Sequence, residues 1–522
     1  MDKDLESIQQ VRDLVAAAKA GQKLLAGCTQ ETLNGYCKAV RDACVREAES
    51  LAKMAAEETG FGIWQDKVLK NLLGSDTTWE SVKNMKVVGP VREDRAAGIV
   101  EIGVPMGVVA ALIPSTNPTS TVMYKTIISL KAGNAIVVSP HPNALRCIME
   151  TLRVIGEALA GAGAPEGIVG GLSLITPQAV DALLKHRDVS IILATGGEAM
   201  VRAAYSSGNP AIGVGPGNGP AFIERSADVP AAVGMILDSK TFDNGTICAS
   251  EQSVVADAPI AAEVVREFQR QGAYFLSEAE SAKLGALLFA GNRMNPKIVG
   301  KTAVYIAETA GISVPPETRV LISRQTGVAR DNPYSREKLC PVLGFYEEEG
   351  WEKACERCVA ILANEGAGHT MCIHSKNEAV IREFSLKKAV SRLLVNTPGA
   401  LGGVGATTNL APALTLGCGA VGKSATSDNI TPMNLINIRR VAVGCRSLAD
   451  LRSHAGAVLG KRGLDSGKPA GTLPRENAGP GKLPEKKDFK KADFTREDVE
   501  SITEMVIARL AQRAAADKSI NL

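Results

Sequence analysis

The run "KTFDNGTICASEQS" (240–253) sets one cysteine, Cys248, among small and polar residues. A thiol can act as a nucleophile once it ionises and can be reached, whereas a structural thiol needs only an apolar slot. Asn244 and Gly245, turn formers just ahead of it, put Cys248 in a loop feeding a regular element and favour exposure in a cleft. A second polar run, "IPSTNPTST" (113–121), follows directly on the apolar stretch "GVVAALI" (107–113). That stretch suits a strand buried on both faces, which places Asn117 just past a carboxyl end, where open α/β sheets bind ligands. Its amide can donate to a developing oxyanion, an interaction often worth about 3 kcal/mol in the transition state. The plainer alternative is that Asn117 only caps the turn before Pro118. Cys355 and Cys358 in "CERC" have metal-like spacing, but no second pair or histidine cluster accompanies them. Two thiols on a helix is the simpler account, and no metal site is expected.

These residues need elements to hold them. The first eighty or so residues read as helices, with apolar positions at helical spacing around Leu14, Leu24, Val40 and Leu51. Residues 87–91 and 98–102 then read as a two-stranded ribbon around the polar turn "REDRAAG". From residue 107 the patterns alternate, with strands at 107–113, 134–140, 167–175 and 189–197 and helices at 143–163 and 178–186. Alternation with short loops predicts a parallel sheet, helices on both its faces and a ligand at the carboxyl ends of its strands. A second α/β stretch runs from about 221 to 418, with helices at 261–271 and 351–364. "MNLINIRRVAVG" (433–444) returns to strand character and can pair with the ribbon or with a neighbouring subunit.

A chain of 522 residues is long enough for two or three domains. Its 45% hydrophobic and 22% charged residues suit a soluble globular protein. A net charge of +3 gives no electrostatic footprint for nucleic acid. No apolar run approaches the roughly 20 residues that span a bilayer, so no membrane partner is expected. The amino-terminal 25 residues carry an amphipathic pattern without the apolar block and cleavage site of a secretory signal. The 11 scattered cysteines favour a reducing cytoplasm over a disulfide framework. After residue 460 the composition turns to Gly, Pro and Lys, predicting a flexible linker at 460–494. Beyond it an amphipathic helix is expected at 495–516, started by Thr495 and Asp498, with Val499, Ile502, Val506 and Leu510 on one stripe. A lone helix of that length is marginal in water, so it docks on a partner, folds back on its own domain or assists oligomerisation.

"PMGVVAALIPSTNPTSTVMYKTIISLKAGNAIVVSPHP", "LATGGEAMV", "GVGPGNGPAFI", "NGTICASEQSVV" and "REKLCPVL", in that order, resemble the motifs of the aldehyde dehydrogenase superfamily over about residues 5–445. The chain looks most like the CoA-acylating members that oxidise short aldehydes, such as propionaldehyde and acetaldehyde, to acyl-CoA. The resemblance implies an α/β fold with a Rossmann-type cofactor domain, an α/β catalytic domain and a β-ribbon oligomerisation arm, in a homodimer or homotetramer. The expected boundaries are 1–220 for NAD and coenzyme A (with ribbon 86–103 in the arm), 221–420 for catalysis and 421–445 for a return segment and oligomerisation strand. Cys248 matches the nucleophile that adds to the aldehyde carbonyl. Asn117, with the backbone amide of Cys248, matches the oxyanion hole. Glu337 in "REKLCP" matches the glutamate that holds the nicotinamide ribose, with Leu339 where the family usually has phenylalanine. Thr195, Gly196 and Gly197 stand where a strand passes into a helix that can receive a pyrophosphate. Ser115, Thr116, Gly215 and the "SPHP" residues Ser139, Pro140 and His141 complete the expected cofactor set.

Two departures bear on the acyl acceptor. Hydrolytic relatives usually carry a Glu-Leu-Gly-Gly-Lys motif whose glutamate activates water, and here Val214 falls at or beside that place. Loss of a general base costs roughly 10²–10⁴-fold, which leaves the CoA thiolate as the natural acceptor. "SPHP" stands where NAD(P)-dependent relatives often carry Lys-Pro. The missing lysine contact fits a pocket that admits NAD and then CoA, with His141 either contributing there or sitting in a surface turn. His369 in "EGAGHTMCIHS" recurs in the resembling enzymes, as a proton acceptor or as a loop histidine. The tail is similar in design to the peptides that direct enzymes into bacterial microcompartments. That implies shell or cargo proteins as partners through 495–516, and a place in the microcompartment lumen. A hydrolytic dehydrogenase and a catalytically retired scaffold are the competing accounts.

Overall fold

The apolar run at 107–113 forms the strand Val108–Leu112, and every residue in it is buried. In the computed structural model, which describes residues 2–291, 293–387 and 390–460, this strand is the centre of a five-stranded parallel sheet. Ala135–Ser139 and Val189–Thr195 flank it, with Val169–Gly171 and Ala211–Val214 at the edges. The chain builds first to one side of the centre and then to the other. The order therefore reverses between Val108–Leu112 and Val189–Thr195, where doubly wound sheets open a crevice at their carboxyl ends. Lys125, buried on helix Pro118–Lys131, donates to the carbonyls of Leu112 at 2.8 Å and Leu193 at 2.9 Å. It ties together the two strand ends that border the crevice, and burial holds its amine well below the usual lysine range.

Gly219–Ile223 starts a second parallel sheet of seven strands. Its order is Ala273–Phe275, Val320–Arg324, Val342–Glu348, Glu251–Asp257, Gly219–Ile223, Gly368–His374 and Val390–Val395. Helices such as Ala258–Arg270 and Gly350–Asn364 bury apolar stripes against it, the first through Ala261, Val264 and Phe268. Cys355 and Cys358 lie on the buried stripe of the second helix with Ile361 and Leu362. No His, Cys, Asp and Glu grouping suited to a metal occurs among the described residues.

The expected ribbon is present as Gly89–Asp94 and Ile99–Pro105, paired antiparallel. Ile436–Ala442 extends it, from Ile436 opposite Pro105 to Ala442 opposite Ile99, so the run at 433–444 pairs within its own chain. That run enters through a 3-10 turn, Pro432–Leu435, because Thr431 and Asn434 close a capping box there. Ahead of the ribbon lie helices Lys3–Leu25, Gln30–Arg46, Ala48–Thr59, Trp64–Leu72 and Thr78–Val82, the last two joined by the π turn Leu73–Thr77.

Met1–Val443 form one unit, and a second begins at Gly444. Its described part is the helix Leu448–Leu459, started by a Ser447–Asp450 capping box and ended by left-handed Gly460. Past residue 460, the linker expected to 494 and the amphipathic helix expected at 495–516 lie outside the described residues. No helix among the described residues is long and apolar enough to cross a membrane.

Gly107 enters the central strand at φ 135°, with its amide donating to Asn134 Oδ1 at 2.8 Å. A Cβ there would lie 2.3 Å from Ser190 Oγ. Gly107→Ala should therefore destabilise the protein by about 2 kcal/mol or more, through strain and collision. A lowered denaturant midpoint checks this; an unchanged midpoint would show that the strand entry relaxes freely.

Candidate active site

Helix Val229–Thr241 runs into the turn Phe242–Gly245, where Asp243, Asn244 and Gly245 take φ of 49°, 51° and 76°. Two non-glycine residues in the left-handed region cost about 1–3 kcal/mol each, so their side chains must hold the turn. Asp243 Oδ1 accepts from the Ile63 amide at 2.7 Å, and the Asp243 amide donates to Asp66 at 2.7 Å. Asn244 donates to the Gly300 carbonyl at 2.9 Å. The turn delivers Cys248, half-buried, to the amino end of strand Glu251–Asp257, against the core of the five-stranded sheet.

Gly217, Glu337 and His369 also precede or open strands of the seven-stranded sheet. This half of the site is built at the amino ends of one sheet and meets the carboxyl ends of the other. Gly217 makes the junction tight: a Cβ there would lie 1.9 Å from the Cys248 carbonyl oxygen and 3.5 Å from His369 Cε1. Its amide donates to Glu337 Oε1 at 2.8 Å, while the Glu337 amide donates to Glu365 at 2.7 Å. Burial pushes the Glu337 carboxyl up to about 8, with Glu365 adding to the rise and the Gly217 amide opposing it. Burial, then Glu337 and Cys418, push the Cys248 thiol up to about 12 against the pull of Arg392.

His369 is buried, with Nδ1 3.0 Å from Thr370 Oγ1 and Nε2 lacking a hydrogen-bond partner among the described residues. Burial and the neighbouring Arg392 bring it down to about 3, so the ring is neutral. Arg392 donates to Thr370 Oγ1 at 3.1 Å, to the His369 carbonyl at 3.1 Å and to the Gly417 carbonyl at 2.6 Å. One buried guanidinium thereby locks the strand that carries the imidazole to the loop behind it.

Asn117 stands at the start of helix Pro118–Lys131, yet its side chain caps none of the helix amides. Its Oδ1 accepts from Lys70 at 2.7 Å and its Nδ2 donates to Thr116 Oγ1 at 3.3 Å. The side chain thus bonds both locally, within the turn before Pro118, and to the distant Lys70. Ser115 and Thr116 are half-buried in the same loop. Ser139 ends its strand and Pro140 follows, both buried. His141 accepts from the Asn143 amide at 3.1 Å and so caps its own turn, Pro142–Ala144. Thr195 ends the next strand of the set, 3.2 Å from Thr415 Oγ1, and Gly196 and Gly197 lead into helix Glu198–Tyr205. A Cβ on Gly197 or Gly215 would meet nothing within 4 Å among the described residues. Val214 is buried at the end of its strand and brings no carboxylate.

The expected cofactor residues thus fall at four adjacent strand ends, while Cys248, Glu337 and His369 converge on Gly217. Sequence reasoning missed Lys70, Gly217 and Arg392. The available signal was three charges, Asp66, Lys67 and Lys70, crowded into "WQDKVLKNL", a helix whose Lys67 and Lys70 are buried.

The aldehyde dehydrogenase family model matches residues 4–301. The bifunctional aldehyde-alcohol dehydrogenase AdhE of Escherichia coli is 41% identical over 441 residues, 84% of this chain and 50% of that protein. The chain thus spans about half the length of that relative. A crystal structure of an acetylating aldehyde dehydrogenase from Geobacillus thermoglucosidasius superposes with a TM-score of 0.84 at 47% identity, covering 86% of this chain and 99% of that one. A propionaldehyde dehydrogenase from the Clostridium phytofermentans fucose utilisation bacterial microcompartment superposes at 0.75 with 28% identity, covering 83% and 97%.

A thiol raised to about 12 gains roughly tenfold in thiolate per pH unit below that value. Alkylation of the Cys248 peptide by iodoacetamide should therefore climb from pH 7 to 9.5 without levelling. Above about pH 8 the Glu337 carboxylate is charged and opposes the thiolate, so Glu337→Gln should react severalfold faster there. Equal rates would show that Glu337 does not set the thiol.

Proposed function

The chain belongs to the aldehyde dehydrogenase family, and from that membership we propose that it oxidises a short-chain aldehyde, propionaldehyde before acetaldehyde, to its acyl-CoA. The observation that carries this reading is that the backbone of Cys248, itself half-buried, and a neutral His369 with an open Nε2 both close on Gly217. Cys248 adds to the aldehyde carbonyl as its proton passes to His369 Nε2 and from there to solvent, which returns the ring to its neutral form for the second step. The alkoxide that develops takes hydrogen bonds from Asn117 Nδ2 and the Cys248 amide. NAD, when bound, supplies the hydride acceptor. Ser115, Thr116, Ser139, Pro140, Thr195, Gly196, Gly197 and Gly215 would hold that dinucleotide, with Glu337 on its ribose and His141 at the rim. Oxidation of the adduct leaves an acyl thioester on Cys248. With valine at 214, the carboxylate that activates water in hydrolytic relatives is missing; the CoA thiol, the better nucleophile, loses its proton to His369 and attacks the acyl carbon, and Cys248 leaves as thiolate.

The domain roles follow the same scheme: 1–220 for NAD and CoA, 221–420 for catalysis, and the ribbon with 421–445 for a homodimer or homotetramer. The tail resemblance and the microcompartment relative support a lumenal place, reached through shell or cargo contacts by 495–516.

Cys248→Ala should abolish NADH formation from propionaldehyde, NAD and CoA, and His369→Ala should lower kcat by roughly 10²–10⁴-fold. Sustained NADH formation at full rate with CoA omitted would overturn acyl transfer in favour of hydrolysis. Deleting 495–522 should leave activity in solution intact and end co-purification with shells; a truncated protein that still packages would refute the targeting role.

A further inference from the structure

We infer that Lys70 is the positioning residue of the oxyanion site, one buried ammonium that orients the Asn117 amide and anchors the Cys248 loop to the same point. The inference rests on Asn117 being the oxyanion donor of the proposed reaction.

Lys70, on helix Trp64–Leu72, has a side chain only 2% exposed. Its Nζ donates to Asn117 Oδ1 at 2.7 Å and to the Thr246 carbonyl at 3.0 Å, and pairs with Asp243 Oδ2. An ammonium has three protons and no lone pair, so these three short contacts use all of it, with Thr246 Oγ1 a longer fourth neighbour at 3.4 Å. The same fact selects the amide's orientation. Only Oδ1 can face Lys70, because the flipped amide would set an NH₂ against an NH₃⁺. With Oδ1 held, one Nδ2 proton points to Thr116 Oγ1 at 3.3 Å. The other has no acceptor among the described residues and is left for the substrate oxygen.

The Thr246 contact carries the second half of the inference. Thr246 lies two residues before Cys248, whose backbone amide is the other oxyanion donor. Both donors are thus referred to one nitrogen. Asp243 in turn is shared: Lys67, one turn earlier on the helix, reaches the same Oδ2 at 2.9 Å and the Thr116 carbonyl at 3.4 Å. With Asp66 accepting from the Asp243 amide, two ammonium and two carboxyl groups close a buried cluster beneath the site. Burial draws the Lys70 amine down to about 8 while Asp243 opposes the fall.

The test measures kcat and KM for aldehyde, at saturating NAD and CoA, together with the thermal midpoint. The variants are Asn117→Ala, Lys70→Met, Lys70→Gln and each Lys70 change combined with Asn117→Ala. Asn117→Ala should lower kcat by roughly 10²–10³-fold. Lys70→Met should lower it by about 10²-fold with KM little changed, since a misaimed donor costs the transition state more than binding. Lys70→Gln, which restores a neutral donor toward Oδ1, should recover part of that loss. Each double variant should fall below Asn117→Ala by less than the Lys70 change costs on its own, because part of the Lys70 effect runs through the Asn117 amide and part through the Cys248 loop. A Lys70→Met enzyme with parental kcat, or doubles whose losses multiply, would overturn the inference while leaving the reaction intact. Should Lys70→Met not fold, the Lys70→Gln cycle carries the same decision; failure of both to fold would mark the cluster as scaffold and overturn it. An Asn117→Ala enzyme with parental kcat would instead remove the oxyanion reading on which the inference rests.

Discussion

The Asp243 carboxylate, buried between the ammonium groups of Lys67 and Lys70, is the constraint on which the site depends. Breaking a buried pair by removing one partner costs about 3–5 kcal/mol, because a charge is left without compensation. That penalty lets the fold hold Asp243 and Asn244 in the left-handed region just before Cys248. The same carboxylate accepts from Ile63, so the amino-terminal helices, far from Cys248 in sequence, are fastened directly beneath it.

From this base the site takes its two-sided form. The five-stranded sheet presents carboxyl ends, where the backbone at Gly197 and Gly215 is sterically open. The seven-stranded sheet presents amino ends, where Cys248, Glu337 and His369 converge. Each side supplies what the other lacks, since open backbone suits a large ligand and packed side chains suit a fixed nucleophile. Gly217 is the hinge of this arrangement in a steric sense: its missing Cβ is what lets the Cys248 backbone and the imidazole share one space.

The electrostatics describe a site at rest. Burial keeps the thiol protonated, and burial with Arg392 keeps the imidazole neutral. Arg392, held by carbonyls of the loop behind the site, and Lys125, held by carbonyls of the two central strands, show one device used twice. Each is a buried cation that organises backbone oxygens where the chain must be rigid.

The local patterns were legible wherever chemistry and periodicity coincide. The all-apolar run at 107–113, the alternation after it and the turn formers before Cys248 each dictate their element within a few residues, because burial on two faces and left-handed turns accept few residue types. The ribbon was legible too, though not its third strand's partner. The family motifs named Cys248, Asn117, Glu337 and His369 one at a time. What the sequence by itself determined was the set of elements and the list of reactive groups. Only the tertiary structure decided that Asn117 faces Lys70 and that the loop before Cys248 is tied to the same ammonium. Those outcomes rest on contacts between residues 47 to 176 positions apart, and a hydrogen bond across such a distance leaves no periodic trace in the chain.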